Sequence, residues 1–242
     1  MALPKIMTPK FFTTVPSTGK RISFRPFIVK EEKVLLLASE SEDEEQMIVT
    51  IRDILNSCVV DEDFNASKIP YFDFEYLFLH VRAKSVGEKI KLEYRHRGGV
   101  NYKDEKCDVV TPIEIDLESI KVNKEDAHNN KVMISDTLGV QMRYPTIEDM
   151  RKLAKTKDDL LLVSSCIEFA FDGDVIHETS GEQDSKEFLE SLSSKQFEKV
   201  MEFFNTMPKL KHEISYKCVG CGQDDHVKLE GIADFFDMPV SQ

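Results

Sequence analysis

The chain has 242 residues, 41% of them hydrophobic and 31% charged, enough to build a buried core in one or two domains. A net charge of -12 runs against unspecific nucleic-acid binding, which rests on Lys and Arg neutralising phosphates. No run approaches the ~18 apolar residues of a membrane helix, the opening MALPKIMTPK lacks the apolar core of a secretory leader, and five cysteines with a single close pair predict a reducing compartment rather than a disulfide framework.

The first predicted element is a hairpin. In PKFFTTVPSTGKRISFRP, residues 9–26, two runs rich in Phe, Thr and Ile flank Pro-Ser-Thr-Gly, and Ile22 and Phe24 alternate with charged or polar neighbours. Two amphipathic helices follow, carrying Val29, Val34 and Leu37 on one and Ile48, Ile51, Ile54 and Leu55 on the other. Between them Ser41 and Glu44 match a capping box, so the acid run reads as a helix start favoured by the helix dipole. Asp73 is the expected N-cap of a third helix with Phe74, Leu77, Phe78 and Val81 on its inner face; Gly87 ends it and His80 reads as a packed structural histidine.

From Lys89 the period changes to two. Ile90, Leu92 and Tyr94 alternate in one strand and Ile113, Ile115 and Leu117 in its partner, giving a second hairpin with a long polar tip. Short strands are expected at Val132–Ile134 and Val140–Tyr144. Thr146 with Asp149 starts another helix, DDLLLVSSCIEFAF reads as a buried helix containing Cys166, the stretch from Asp172 to Glu187 is turn-rich with a short strand at DVIH, and Ser193 with Gln196 caps a last helix with Phe197, Val200, Met201 and Phe204 on its face. A final hairpin, Glu213–Cys218 and His226–Leu229, carries the C-x-x-C of KCVGCG, and IADFFDM follows it.

The expected fold class is therefore α+β: helical bundles with β-hairpins, including a zinc-ribbon-like pair of hairpins. The expected division is an N-terminal hairpin and helical region at 1–88, paired hairpins at 89–122 and 209–236, and a helical region at 123–208. A tetrahedral zinc needs four ligands, and Cys218 and Cys221 supply two. Setting IKLEYRHRGG beside HEISYKCVGCG matches Tyr94 with Tyr216 and His96 with Cys218, so His96 and Cys107 become the candidates for the other pair, with His226 in reserve. Three readings stay open: one structural zinc, a relic knuckle with free thiols, and a redox pair. The third is disfavoured because a thioredoxin-type motif opens a helix, whereas this one lies between strands. Cys58 and Cys166 read as small core residues.

Catalytic signatures are missing: there is no G-x-S-x-G, no Walker loop, no G-x-G-x-x-G and no H-E-x-x-H. His128 and His177, flanked by polar turn residues, read as exposed, and acid pairs such as Asp158–Asp159 are common in a chain with 44 acids. Binding or assembly gains over catalysis.

LPKIMTPKFFTTVPSTGKRISFRPFIVKEEKVLLLASESED, FDFEYLFLHVRAKSVGE and LEGIADFF together resemble the baseplate hub or hub assembly protein family of T4-like contractile-tailed bacteriophages. The resemblance implies a non-enzymatic component of the virion tail baseplate, assembled in the host cytoplasm, whose partners are other hub, tube or tape-measure proteins. Related sequences carry a cysteine knuckle on the first of the paired hairpins as well, where this chain has HRGG and the lone Cys107. Aromatics near the strands, Phe11, Phe12, Phe235 and Phe236, are the candidate interface anchors. A tail assembly chaperone is a variant of this reading, and a zinc-ribbon adaptor for nucleic acid or the transcription machinery, with YRHR as its basic face, is the rival.

Overall fold

A computed structural model describes residues 7–41, 43–95 and 107–235. Among them are seven helices and small antiparallel sheets, an α+β arrangement. The chain forms two compact units, one from residues 1–64, 75–122 and 209–242, the other from 65–74 and 123–208.

In the first unit β1 (Phe11–Thr14) and β2 (Arg21–Phe24) pair with Phe11 opposite Phe24. Helices α1 (Val29–Glu40) and α2 (Glu44–Cys58) follow, then α3 (Tyr71–Ser85), most of which belongs to this unit. Arg25 grips both carboxylate oxygens of Glu31, and Glu31 also accepts from the Ile28 amide, which fixes the entry into α1. The Arg25 guanidinium holds the Glu31 carboxyl below the usual carboxylate range.

Two hairpins complete this unit. Strand β3 (Lys89–Arg95) pairs with β4 (Val110–Asp116), placing Tyr94 opposite Thr111. After a single turn of 3-10 helix (Leu117–Ser119) comes the short β5 (Val122–Asn123), which joins one edge of β10 (Lys209–Lys217); β11 (Asp224–Glu230) pairs on the other. One core draws on both hairpins and on α3, with Leu79 and Ala83 from the helix, Ile90 and Ile115 from one hairpin, and Leu210 and Leu229 from the other. Burying these alternating faces against one helix is worth roughly 1.5–3 kcal/mol per large side chain. Glu75, buried in α3, accepts from the Ile232 amide and so ties the chain after β11 back to this helix.

The second unit holds the sheet β6 (Lys131–Met133), β7 (Leu138–Met142), β8 (Ile167–Asp172) and β9 (Val175–Glu178), in that order. Its helices are α4 (Ile147–Thr156), α5 (Asp159–Ser165), α6 (Glu182–Glu190) and α7 (Ser194–Thr206). Val140, Met142, Val163, Ile167, Val200 and Phe203 are among its core residues. The expected caps at Thr146–Asp149 and Ser193–Gln196 are present, the N3 side chain in each accepting from the cap amide.

Several sequence expectations give way. Asp43, not Ser41, caps α2, accepting from the Glu45 and Gln46 amides, while Ser41 donates to Ala38 at the end of α1. Helix α3 starts at Tyr71, where the Pro70 carbonyl accepts its first bond, so Asp73 is buried in the first turn rather than capping it. DDLLLVSSCIEFAF is a short helix and then a strand; a continuous apolar run carries no period that separates the two. Helix α6, placed in a turn-rich stretch by its polar composition, buries only Ser185 and Leu189. Val29, Val34 and Leu37 of α1, expected on an inner face, are exposed, and Ala38 is the buried residue of that helix. His128 is buried, not exposed. The Thr206 hydroxyl donates to the Glu202 carbonyl, so the His128 Nδ1–H donates to Thr206 at 3.0 Å. Its ring stacks on Tyr144.

Candidate metal centre

The knuckle is built by β10 running past its last pair, Lys217 with Asp224, into a tight turn. The Cys218 amide donates to the Gln223 carbonyl, and the Gly222 amide donates to the Cys218 carbonyl. Gly222 has φ +72°, in the left-handed region where a side chain is strained. Amides of Cys221 and Gly220 point at the Cys218 sulfur, the arrangement that stabilises a thiolate.

Cys107 arrives from the other hairpin, three residues before β4. Its sulfur lies 3.6 Å from that of Cys218 although the two residues are 111 apart in sequence. The three sulfurs of Cys107, Cys218 and Cys221 all lie within 4.8 Å of one another. Around a tetrahedral metal with ~2.3 Å metal–sulfur bonds, neighbouring sulfurs stand about 3.8 Å apart, so the cluster is close to ligand geometry. Cys107 and Cys218 are buried and Cys221 is half-buried.

Neighbouring residues fit the site closely. A Cβ on Gly220 would lie 2.6 Å from Val109 Cγ2 and 3.3 Å from the Cys107 sulfur, so only glycine lets the knuckle approach the strand carrying Cys107. The Val219 amide donates to the buried Thr111 hydroxyl, a second tie to β4. The thiols differ in acidity. The Cys221 amide, then that of Gly220 and the adjoining thiols, bring Cys218 down to about 6 against the effect of burial. Burial and the neighbouring sulfurs push Cys107 up, while the Val109 amide opposes them. One ready thiolate beside two further thiols suits a soft or borderline cation, which displaces the remaining protons on binding. Three clustered cysteines of this kind can bind a metal.

His96 lies outside the described residues. His226 sits on β11 opposite Ser215, exposed, and is not among the converging ligand atoms. The matched tyrosines, Tyr94 and Tyr216, both pack against the core of the first unit, and the Tyr216 hydroxyl donates to Asp225. Cys58 and Cys166 are buried, their thiols pushed up to about 12 by burial, as suits inert core residues. Of the aromatics singled out, Phe12 is exposed and lies under the Arg21 guanidinium, Phe11 is half-buried against Phe24, Phe235 sits in the core of the first unit, and Phe236 lies outside the described residues. The sequence reading missed Gly220, Val109 and Thr111. The glycine inside the C-x-x-C was its only visible sign, since their role depends on which strand lies against the knuckle.

The model of the T4 bacteriophage base plate protein family matches residues 8–237 of this chain. The chain belongs to that family. This baseplate protein is therefore a structural component of the phage virion tail, and its neighbours are other phage tail proteins. The match covers both hairpins, so the cysteine cluster lies within the family's own fold. No curated protein and no solved structure matches the chain. Among the described residues no helix is long and apolar enough to cross a membrane.

Proposed function

We propose that the protein is a structural or assembly component of the baseplate hub, acting through protein–protein contacts and not as an enzyme, with hub, tube or tape-measure proteins as partners. The observation that carries this reading is the crowding of exposed large apolar side chains into one stretch: Met7, Phe12, Ile28, Val29, Leu36 and Leu37 all lie near the start of the chain. Within this stretch Leu36 and Leu37 stand side by side on α1, and contiguous exposed apolar groups mark contact surfaces. The N-terminal hairpin, with Phe12 as its anchor, forms part of that surface.

The cysteine cluster serves this role as a structural staple. One zinc is held by Cys107, Cys218 and Cys221, with His96 as the fourth ligand, and it joins segments 111 residues apart. Because such a metal binds the folded site and not the unfolded chain, its binding free energy adds directly to the stability of the fold.

The test is reconstitution with the phage's tail proteins. Co-assembly with hub proteins and presence in purified tails support the reading. Absence from every tail assembly, with salt-dependent DNA binding in its place, would overturn it in favour of a nucleic-acid adaptor; presence during assembly but not in the finished tail would mark a chaperone. Anaerobically purified protein should carry close to one equivalent of zinc, and less than ~0.2 equivalents removes the staple.

A further inference from the structure

Helix α1 buries little of itself. Leu36 is 59% exposed and Leu37 55%, and Val29 and Val34 are exposed with them. Beside Leu36 runs a groove of about 230 Å³ whose apolar lining comes from Leu35, Leu36, Met47, Ile51, Phe78 and Val86. Val86, at the end of α3, is itself 58% exposed, and Glu32, Ser39 and Arg82 supply the polar part of the lining, one acid against one base. On its other flank α1 borders a second hollow of about 270 Å³, lined in part by Val34 and Ile54. The helix thus stands between two depressions, all within the first unit, and exposes Val29, Val34, Leu36 and Leu37 beside Lys30, Lys33 and Glu40.

Charge identifies the occupant. Residues 28–63 hold 11 acids against three bases, a net of -8 out of the chain's -12. Glu40 and Asp43, at the turn from α1 to α2, are exposed, and Met47 in the groove lies one helical turn beyond Asp43. A second copy of this chain would bring two such acidic faces together and be repelled. We infer that the groove beside α1 docks an amphipathic helix of another protein, one with apolar residues at i, i+3 or i+4 and i+7 and with Lys or Arg along its flanks. Leucines fill the hollow while the basic flanks meet the acids at its end. This rests on the hub reading, and it names the kind of partner that reading requires.

The probe is a synthetic 18-residue Leu/Lys amphipathic helix, with a Leu/Glu counterpart, titrated against the full chain by fluorescence anisotropy. The Leu/Lys peptide should bind, more tightly at low salt, and the Leu/Glu peptide should not. Leu36→Gln with Leu37→Gln should weaken binding at least tenfold while the circular dichroism spectrum is unchanged, because both side chains are exposed. Glu40→Lys should weaken it several-fold at low salt only. Ile176→Gln, at an exposed apolar position on β9, should bind as wild type. Equal binding by the double variant overturns the inference. So does a concentration-dependent dimer in sedimentation that the double variant abolishes, which would make a second copy the occupant. Coexpression with the tail proteins separates the two readings. If wild type enters tail assemblies and the double variant does not, the groove is the docking site. If both enter, the groove fails and the hub reading stands. If neither enters, the hub reading fails and the peptide titration alone decides the groove.

Discussion

Gly220 is the residue on which the cysteine cluster turns. It lies between two of the three clustered cysteines, and any side chain there must displace Val109 or the Cys107 sulfur. Gly220→Ala should therefore separate the knuckle from Cys107, at a cost of about 1–3 kcal/mol from overpacking. The expected result is loss of the proposed zinc by atomic absorption and faster reaction of Cys107 and Cys218 with a thiol reagent; unchanged zinc content would refute it. Asp149 plays a comparable part in the second unit. Burial pushes its carboxyl up, but hydrogen bonds from the Arg143 guanidinium and from Thr146 outweigh burial and hold it below the usual carboxylate range. Asp149→Asn keeps the shape and removes the charge, leaving Arg143 without its ion-pair partner and weakening the cap. A loss of about 2 kcal/mol is expected in urea unfolding.

At the scale of elements, the start of α2 shows how far the sequence could be read. Two signals compete in SESEDEE, a Ser-x-x-Glu box and an aspartate directly before the helix, and only the backbone path decides between them. Here Ser41 is consumed in ending α1, and Asp43 receives two helix amides. Asp43→Ala should cost about 1 kcal/mol, whereas Ser41→Ala should cost only a few tenths, which is measurable as a difference in urea midpoint. Elements with a clear period were legible: β3, β4 and α7 announce themselves by alternation or by i, i+3, i+4 spacing. The boundary at Cys166 was not, because an unbroken apolar run looks the same in a helix and in a buried strand. Helix α6 was hidden for the opposite reason, having too few apolar residues to show a face. The cysteine cluster was largely legible. C-x-x-C spacing names Cys218 and Cys221, and matching the two hairpins names Cys107, which the fold brings to them; the close approach through Gly220 and Val109 was not legible, because it depends on how the knuckle lies against the strand.

At the scale of the molecule, each unit closes its own core, around Leu79 and Ile115 in one and around Val140 and Phe203 in the other. Calorimetry should accordingly resolve two transitions that respond to different agents. The proposed zinc binds only the folded first unit, so a chelator should lower that transition and leave the other in place. Acid should act on both through a histidine that burial keeps neutral, His80 in the first unit and His128 in the second. The sign follows from the direction of these shifts. Each histidine binds its proton less readily when folded than the unfolded chain does near pH 6.5, so the histidine contribution is complete above about pH 6.5 and declines as pH falls below it, while the lowered Cys218 thiol adds to the first unit a further rise towards the ordinary thiol range. Carboxylates held low, such as Asp149 and Glu31, add a second loss only below about pH 4. His128→Gln keeps a polar side chain able to donate to Thr206 but carries no titrating group. It should flatten the decline of the second transition between pH 7 and 5 on the scale set by these pKa values, while the first transition, governed by His80, falls as in wild type. If instead both transitions flatten together, the units do not melt independently, and the separation of cores is not a separation of stability.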